Sequence, residues 1–194
     1  MQKFLVGVDE AGRGPLAGPV AVGVVCLPAV VDIREMFPDV GDSKKLSPAR
    51  REKVYALLEA ASAAGWVRHR VVFSSAALID QVGITEAVRQ AVWEGVRALA
   101  PEPAGVTVLL DGLLSAPPEY VQETIVRGDA SEPVISLASI AAKVARDHLM
   151  QELAKTYPTY GFEVHKGYGT EKHYAALRRH GLCLEHRKSF CTNV

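Results

Sequence analysis

The run from Gly18 to Leu27 constrains the fold of this chain more than any other feature of its sequence. It contains no charged residue, and its valines fall on both of the faces that a strand would present. A strand that is apolar on both faces is buried on both faces, as in the middle of a sheet covered by helices. The sequence therefore predicts a layered α/β fold rather than an all-α or an all-β fold.

Further segments of strand and helix character accompany this central strand along the 194 residues. Strands are predicted over Phe4–Asp9, Trp66–Phe73, Val106–Leu110 and Val121–Val126. Helices are predicted from Ser47 to about Ala64, over Ile84–Ala100, from Ile135 to about Thr156, and over Thr170–His180. With no linker or repeat between them, these elements predict a single domain over residues 1–194.

The formal net charge is zero, but the charges are unevenly distributed along the chain. Residues 1–142 contain 13 basic and 17 acidic side chains, whereas residues 143–194 contain 9 basic and 5 acidic ones. A uniformly basic, nucleic-acid-binding surface is thereby excluded. An acidic body with a basic, helical C-terminal part from about residue 143 could bind metal with one part and a polyanion with the other.

The sequence shows no sign of membrane insertion or secretion. The longest nearly uncharged run, Ala17–Val31, is too short to span a bilayer and is interrupted by Gly and Pro. The apolar residues before Asp9 are too few for a secretory signal. The three cysteines are an odd number without paired spacing. We therefore expect a cytoplasmic protein that does not associate with membranes.

Acidic residues follow three of the predicted strands: Asp9 with Glu10, then Asp111, then Asp129. Sites in open α/β sheets collect near strand ends, so these four carboxylates could meet at one place. Such a cluster repels itself strongly and persists only if it is protonated or binds cations. Oxygen ligands favour Mg²⁺ or Mn²⁺, and two such ions would neutralise four carboxylates and support phosphodiester hydrolysis. The alternative is that each acid is a solvated turn residue.

The turn Gly12–Gly18 follows the first predicted strand and contains three glycines. Its Gly-x-Gly-x-x-x-Gly spacing is one residue longer than a dinucleotide-binding motif, and two nearby prolines would obstruct an immediately following helix. Glycines 12 and 14 would instead let the backbone approach a sugar-phosphate, with Arg13 as a hydrogen-bond donor. A simple tight hairpin is the alternative.

Motifs spread over nearly the whole chain resemble those of ribonuclease HII, the type 2 ribonuclease H. In chain order they are Gly7–Pro19, Asp42–Leu46, Leu110–Gly112, Gly128–Asp129, Ala138–Asp147, Tyr157–Phe162, His165–Thr170 and His186–Phe190. The resemblance implies a ribonuclease H-like fold, which is a mixed five-stranded sheet flanked by helices, with a helical C-terminal segment.

The resemblance also implies an activity and a set of site residues. The activity is a metal-dependent endonuclease that hydrolyses the RNA strand of RNA–DNA hybrids and cuts 5′ to single ribonucleotides in duplex DNA. Two Mg²⁺ or Mn²⁺ ions would support the reaction, and the products would carry 3′-hydroxyl and 5′-phosphate ends. The implied metal ligands and catalytic residues are Asp9, Glu10, Asp111 and Asp129, and the implied substrate-binding residues are Gly12, Arg13, Gly14 and Tyr168.

Physical reasoning supports a role for Tyr168 and suggests roles for three further side chains of these motifs. The ribose 2′-hydroxyl distinguishes RNA from DNA, and the Tyr168 ring could pack on the adjacent sugar; the alternative is an ordinary half-buried tyrosine. Lys44 and Lys45 precede a predicted helix and could hold phosphates, or they form a solvated pair. Asp147 is predicted to fix Arg146 or another helix contact rather than to bind metal.

The C-terminal part is predicted to face nucleic acid. Six basic residues would supply a phosphate-facing surface: Lys166, Lys172, Arg178, Arg179, Arg187 and Lys188. The alternative, a plain solvated face, would explain about half of these six. The spacing of His180, Cys183, His186 and Cys191 matches no common zinc motif, so no zinc is expected. The histidines are predicted to be solvated or to face the nucleic acid.

Two other functions remain compatible with the sequence. One is a non-catalytic module that binds hybrids and in which the acids are structural. The other is a different metal nuclease of the same superfold, such as a resolvase or integrase, which would cut all-DNA substrates and would not explain the Gly-Arg-Gly turn together with Tyr168. The expected partners are RNA–DNA hybrids and ribonucleotide-containing duplex DNA, and a monomer is expected.

Overall fold

A mixed five-stranded sheet forms the centre of the computed structural model, which describes residues 3–41 and 46–192. The strand order is β3-β2-β1-β4-β5. The strands are β1 (Phe4–Ala11), β2 (Val20–Pro28), β3 (Arg68–Ser74), β4 (Val106–Asp111) and β5 (Val121–Ile125). The first three strands pair antiparallel, whereas β4 runs parallel to both β1 and β5. The mixed sheet implied by the family resemblance is confirmed.

Helices cover both faces of this sheet. They are α1 (Ile33–Met36), α2 (Pro48–Ala63), α3 (Ala76–Val82), α4 (Ile84–Leu99), α5 (Gly128–Ser131), α6 (Pro133–Thr156), α7 (Phe162–His165) and α8 (Glu171–His180), followed by a 3₁₀ turn at Lys188–Phe190. Ser47 caps α2, since its side chain accepts the Arg50 N–H at 3.3 Å. None of the helices in the described part of the chain combines the length and the apolar character needed to cross a membrane.

The apolar run that sets the fold is β2, and it lies between two other strands as predicted. Its alternate side chains Val22 and Val24 pack in the same core as Val92 of α4. On the opposite face, Val25 and Leu27 pack in a second core with residues of α6. Burial on both faces therefore explains why this segment contains no polar side chain.

Two glycines let α6 lie directly against the sheet. A Cβ atom on Gly7 of β1 would lie 2.3 Å from the Val134 carbonyl oxygen, and one on Gly23 of β2 would lie 2.0 Å from that of Ala138. Residues 5, 7 and 9 of β1 share one face, so this close approach also places α6 beside Asp9. The functional consequence is that polar side chains of α6 border the end of β1.

The C-terminal elements pack around the turn that joins β1 to β2. Leu16 is central to this contact: its N–H donates to the Gly167 carbonyl at 2.9 Å, and its carbonyl accepts from the Arg187 N–H at 2.8 Å. The Gly18 N–H donates to the Glu185 carbonyl at 2.8 Å. The apolar core of this part includes Met150 and Phe162. The turn is therefore enclosed by chain that lies about 150 residues downstream of it.

Gly23→Ala should lower the free energy of unfolding by about 1–3 kcal/mol, because the new methyl group would overlap the α6 backbone. Urea denaturation would measure the change. Gly41→Ala is the matched control, since a Cβ atom there would meet nothing within 4 Å. Equal stability of the two variants would contradict the close packing described for α6.

Candidate active site

Two neighbouring strands bring three of the predicted carboxylates to one edge of the sheet. Asp9 and Glu10 are among the last three residues of β1, and Asp111 is the last residue of β4. Because β1 and β4 are parallel neighbours, their ends lie side by side. These residues border a cavity of about 320 Å³, which is lined by Asp9, Glu10, Ala11, Gly12, Arg51, Asp111, Ser139, Lys143, Arg146 and Tyr168.

The fourth predicted carboxylate lies beside this cavity rather than in its lining. Asp129 belongs to α5, which follows β5. Its backbone N–H donates to Asp111 Oδ1 at 3.4 Å, and the residue is buried. The prediction that Asp129 stands at a strand end is therefore wrong by a few residues, although the short helix α5 keeps it next to Asp111.

The arrangement is a set of neighbouring carboxylates rather than a closed ligand shell. Within residues 3–41 and 46–192, no three side chains of His, Cys, Asp and Glu are arranged as a group that could hold a metal ion. What the site offers to a cation is its chemistry, namely several carboxylate oxygens facing one cavity.

The first two carboxyl groups are held in surroundings that disfavour their charge. Burial is the main cause that raises the pKa of Asp9 well above its usual range, and the nearby Glu10 and Asp111 raise it further. A hydrogen bond from Ser139 acts in the opposite direction. Burial also raises the pKa of Glu10, against the effect of Arg13. A bound cation would relieve both the burial cost and the repulsion.

Basic side chains border the other side of the same cavity. Burial lowers the pKa of Lys143, whose ammonium group pairs with Asp147 one helical turn later. Arg51 donates to the Leu46 carbonyl at 2.6 Å. The prediction that Asp147 makes a helix contact is confirmed, but its partner is Lys143. Acidic and basic walls facing one cavity suit a cation and an anionic ligand together.

Two buried arginines hold the glycine-rich turn. Arg187 donates to the carbonyls of Gly12 at 2.7 Å, Arg13 at 2.8 Å and Gly18 at 2.9 Å. Arg146 donates to two more carbonyls of the same segment, at residues 17 and 19. The segment runs into β2 and not into a helix, which excludes the dinucleotide-binding alternative. It is also more than a tight hairpin, because side chains from two distant elements fix its backbone.

The remaining predicted substrate-binding residues differ in their surroundings. Tyr168 lines the cavity with 46% of its surface exposed, and its ring centroid is 6.0 Å from the Arg146 guanidinium carbon. Arg13 does not line this cavity, but its Nη1 lies 3.5 Å from Glu10 Oε1. Gly14 is exposed, and a Cβ atom there would meet nothing within 4 Å. Lys44 and Lys45 lie outside the described residues.

The predictions for His186 and for Arg187 are wrong, whereas His180 is exposed as predicted. His165, His173 and His186 are buried, and so is Arg187, which binds backbone carbonyls rather than facing phosphates. The physical reason is that the imidazoles pack with Tyr160 and neighbouring aromatic rings as part of the local core. The other predicted basic residues, apart from half-buried Lys166, are exposed: Lys172, Arg178, Arg179 and Lys188.

Sequence reasoning missed several residues of the cavity. Ser139, Lys143 and Arg146 lie within the quoted helix motif, so their one-turn spacing was the available signal for a shared helix face. Arg51 carried no such signal, because a basic residue in the first turns of a helix is ordinarily solvated.

The sheet order and the carboxylates at the adjoining ends of β1 and β4 define a ribonuclease H-like fold. Among solved structures, ribonuclease H2 from Pyrococcus horikoshii OT3 superposes with a TM-score of 0.75 at 25% identity, covering 96% of this chain and 93% of that chain. A structure of Bst ribonuclease HIII in complex with Mn²⁺ matches with a TM-score of 0.66 at 18% identity, covering 97% of this chain and 65% of that one.

The family model described as Ribonuclease HII matches residues 6–193. The Ribonuclease HII of Geobacillus kaustophilus (strain HTA426) is 44% identical over 186 residues, which are 96% of this chain and 67% of that relative. This chain belongs to the ribonuclease HII family. It is thus a metal-dependent endoribonuclease that hydrolyses the RNA strand of RNA–DNA hybrids.

Asp9→Asn should stabilise the metal-free protein at neutral pH and raise its unfolding temperature, because a buried carboxyl group whose ionisation is disfavoured is replaced by a neutral amide. A raised folded-state pKa means that ionisation of Asp9 costs stability as the pH rises above its ordinary value. The amide keeps an oxygen for the Glu10 N–H, which now binds Asp9 at 2.7 Å.

Thermal unfolding in EDTA at several pH values would measure this difference. The gain should shrink as the pH falls toward the ordinary aspartate pKa of 3.8 and disappear well below it, where Asp9 is protonated in the folded and the unfolded chain alike. A variant less stable than the parent at pH 7 would contradict the electrostatic description of the site.

Proposed function

We propose that this chain, besides hydrolysing the RNA strand of hybrids, cuts on the 5′ side of single ribonucleotides embedded in duplex DNA. The reaction is two-metal-ion hydrolysis, and its products carry 3′-hydroxyl and 5′-phosphate ends. One observation carries the proposal: the carboxylates of Asp9, Glu10 and Asp111 share a cavity with Gly12 and Tyr168. Cation ligands and groups suited to a ribose thus border the same space.

The carboxylates are the proposed metal ligands. Asp9, Glu10 and Asp111 face the cavity, and Asp129 stands next to Asp111 and completes the proposed set. Their oxygens fit Mg²⁺ or Mn²⁺, and burial together with the nearby Glu10 and Asp111 raises the pKa of Asp9, so that a bound cation would favour its charged form. When bound, two such ions supply an activated water and stabilise the leaving oxygen.

The turn and Tyr168 are the proposed ribonucleotide sensors. The ribose 2′-hydroxyl is the group that separates a ribonucleotide from its deoxy counterpart. Gly14 leaves open space at the turn, and the exposed Arg13 is a donor next to Glu10. The partly exposed Tyr168 ring borders the same cavity and can pack against the sugar.

Phosphate contacts are proposed for the basic side of the cavity and the basic C-terminal surface. Lys143 lines the cavity, while Lys172, Arg178 and Lys188 are exposed on the C-terminal part. Lys44 and Lys45 stay predictions for the same role. We further propose a monomer of one domain acting in the cytoplasm, where the three cysteines, all free, would remain reduced.

The alternatives explain fewer of these features. In a non-catalytic module, structural acids would be placed where their charge is compensated, whereas Asp9 is buried beside two other carboxyl groups. A nuclease for all-DNA substrates has no use for a tyrosine and a glycine-rich turn beside the carboxylates. Both features favour a ribonucleotide-directed enzyme.

Asp111→Asn should reduce cleavage of a duplex with one ribonucleotide by about 10²-fold or more, since a charged ligand at the reacting phosphate is lost. Binding of the duplex should persist. The parent enzyme should need Mg²⁺ or Mn²⁺, lose activity in EDTA, and leave a 3′-hydroxyl end.

Gel-based cleavage with end-group analysis would measure these outcomes. Glu152→Gln is the control, because Glu152 is an exposed acid that pairs with Lys155 on α6. Full activity of Asp111→Asn, or cleavage in EDTA, would contradict the mechanism.

Tyr168→Ala should slow cleavage at a single embedded ribonucleotide by about 10- to 100-fold, because the ring that positions the sugar is absent. Tyr168→Phe keeps the ring and should retain most of the activity. Initial rates on one labelled duplex would compare the three proteins. If Tyr168→Ala cuts at the parent rate, the role proposed for this residue is wrong.

A further inference from the structure

Three buried imidazoles lie behind the loop that carries Tyr168, and the mechanism above uses none of them. His165 stacks on His173 with ring centroids 4.4 Å apart. His173 Nε2 is 3.0 Å from His186 Nε2. All three residues are buried. The pair formed by His173 and His186 connects α8 with the C-terminal loop.

The hydrogen bonds of this pair permit one arrangement of protons. The Cys183 N–H donates to His186 Nδ1 at 2.9 Å, so the proton of a neutral His186 is on Nε2. That Nε2–H donates to His173 Nε2, which must then be unprotonated. His173 carries its own proton on Nδ1 and donates it to the Tyr168 carbonyl at 2.9 Å. A directed chain of hydrogen bonds thus ends on the backbone of Tyr168.

The same loop is held from its other side by His165. The Gly167 N–H donates to His165 Nδ1 at 3.2 Å, and His165 Nε2 donates to the Tyr160 carbonyl at 2.7 Å. Tyr168 lies between α7 and α8, outside any helix or strand. Its N–H donates to the His165 carbonyl at 2.9 Å, and its carbonyl also accepts the Thr170 N–H at 2.8 Å. The imidazoles therefore position Tyr168 together with these two backbone hydrogen bonds.

We propose that His173 and His186 are positioning residues for Tyr168. With both rings neutral, the pair supports the Tyr168 carbonyl through the directed chain of hydrogen bonds and so helps to keep the tyrosine ring at the cavity; a proton taken up by either ring breaks one link of that chain and loosens this support. This inference rests on the role given to Tyr168 under the proposed function. The pair touches no substrate and acts only through the loop.

A proton on either ring would break the chain. If His173 were charged, its Nε2–H would oppose the Nε2–H of His186 across 3.0 Å. If His186 were charged, its Nδ1–H would oppose the Cys183 N–H. The titratable side chains around the pair are His165, Tyr160 and Cys183, with Asp80, Tyr157 and Lys188 in the groove that His186 lines.

Burial favours the neutral state of both rings. It lowers the pKa of His186 to about 4, and it lowers the pKa of His173, in each case with a contribution from a neighbouring imidazole. The unfolded chain takes up protons near pH 6.5, before the folded pair does, so the arrangement loses stability as the pH falls from about 6.5 to about 4.

Nitrogen-15 NMR of the histidine rings in the whole protein tests the arrangement without any assay of activity. At pH 7 we expect His186 protonated on Nε2 only and His173 protonated on Nδ1 only. A charged ring, or a proton on His173 Nε2, would overturn the inference.

Rescue by a conservative variant tests the positioning itself. The amide of His173→Asn can occupy the place of Nδ1 and donate to the Tyr168 carbonyl, so cleavage at a single ribonucleotide should stay near the parent rate. His173→Leu cannot donate and should lose about 10- to 100-fold. His148→Gln is the control, since His148 is a partly exposed ring paired with Glu52. Equal rates for His173→Asn and His173→Leu would overturn the inference.

A pH series with His186→Gln covers the case in which His173→Leu does not fold. A carboxamide can present either its N–H or its oxygen to His173, so it tolerates a charged partner ring. The ratio of the variant's cleavage rate to the parent's should therefore rise as the pH falls from 7 to 4, mostly below pH 5, where His186 of the parent takes up its proton. A constant ratio over this range would count against the inference. If Tyr168→Ala cleaves at the parent rate, the role proposed for Tyr168 fails. If Tyr168→Ala is impaired but a folded His173→Leu cleaves at the parent rate, only the present inference is overturned.

Discussion

The burial of like-charged carboxyl groups at the adjoining ends of β1 and β4 is the constraint on which the site depends. Asp9 is 5% exposed and lies beside Glu10 and Asp111, an arrangement that costs folding energy unless protons or cations compensate it. The rest of the fold makes this arrangement possible, because parallel pairing aligns the strand ends and α6 lies close enough for Ser139 to bind Asp9. The carboxyl groups that suit this site to a cation therefore lower the stability of the metal-free fold.

The regular elements could be predicted closely because their signals are local. The helices α2, α4, α6 and α8 begin and end within about two residues of the predicted bounds, through apolar spacing and caps at residues such as Ser47 and Thr170. The helices α1, α3, α5 and α7 have only four to seven residues, too few for a helical period to show. That is why Asp129 was expected at the end of a strand, when it lies on α5.

The site was predictable where one short segment contains its chemistry, as with Asp9, Glu10 and the glycine-rich turn. It was not predictable where the role of a side chain depends on distant backbone. Basic residues and histidines near the C-terminus are ordinarily solvated, yet Arg187 and His186 are buried. Their partners are carbonyl and N–H groups, which every residue carries and which leave no mark in a sequence.

The link between Arg187 and the turn at Gly12 also bears on the order in which the chain folds. The two residues are 175 positions apart, so the hydrogen bond between them closes a very long loop of the chain. During synthesis the sheet and its helices can assemble first, with Arg146 already able to reach the carbonyls of Ala17 and Pro19. The carbonyls of Gly12, Arg13 and Gly18 gain their guanidinium partner only after residue 187 has emerged from the ribosome, so the backbone of this turn is fixed later than the sheet that it connects.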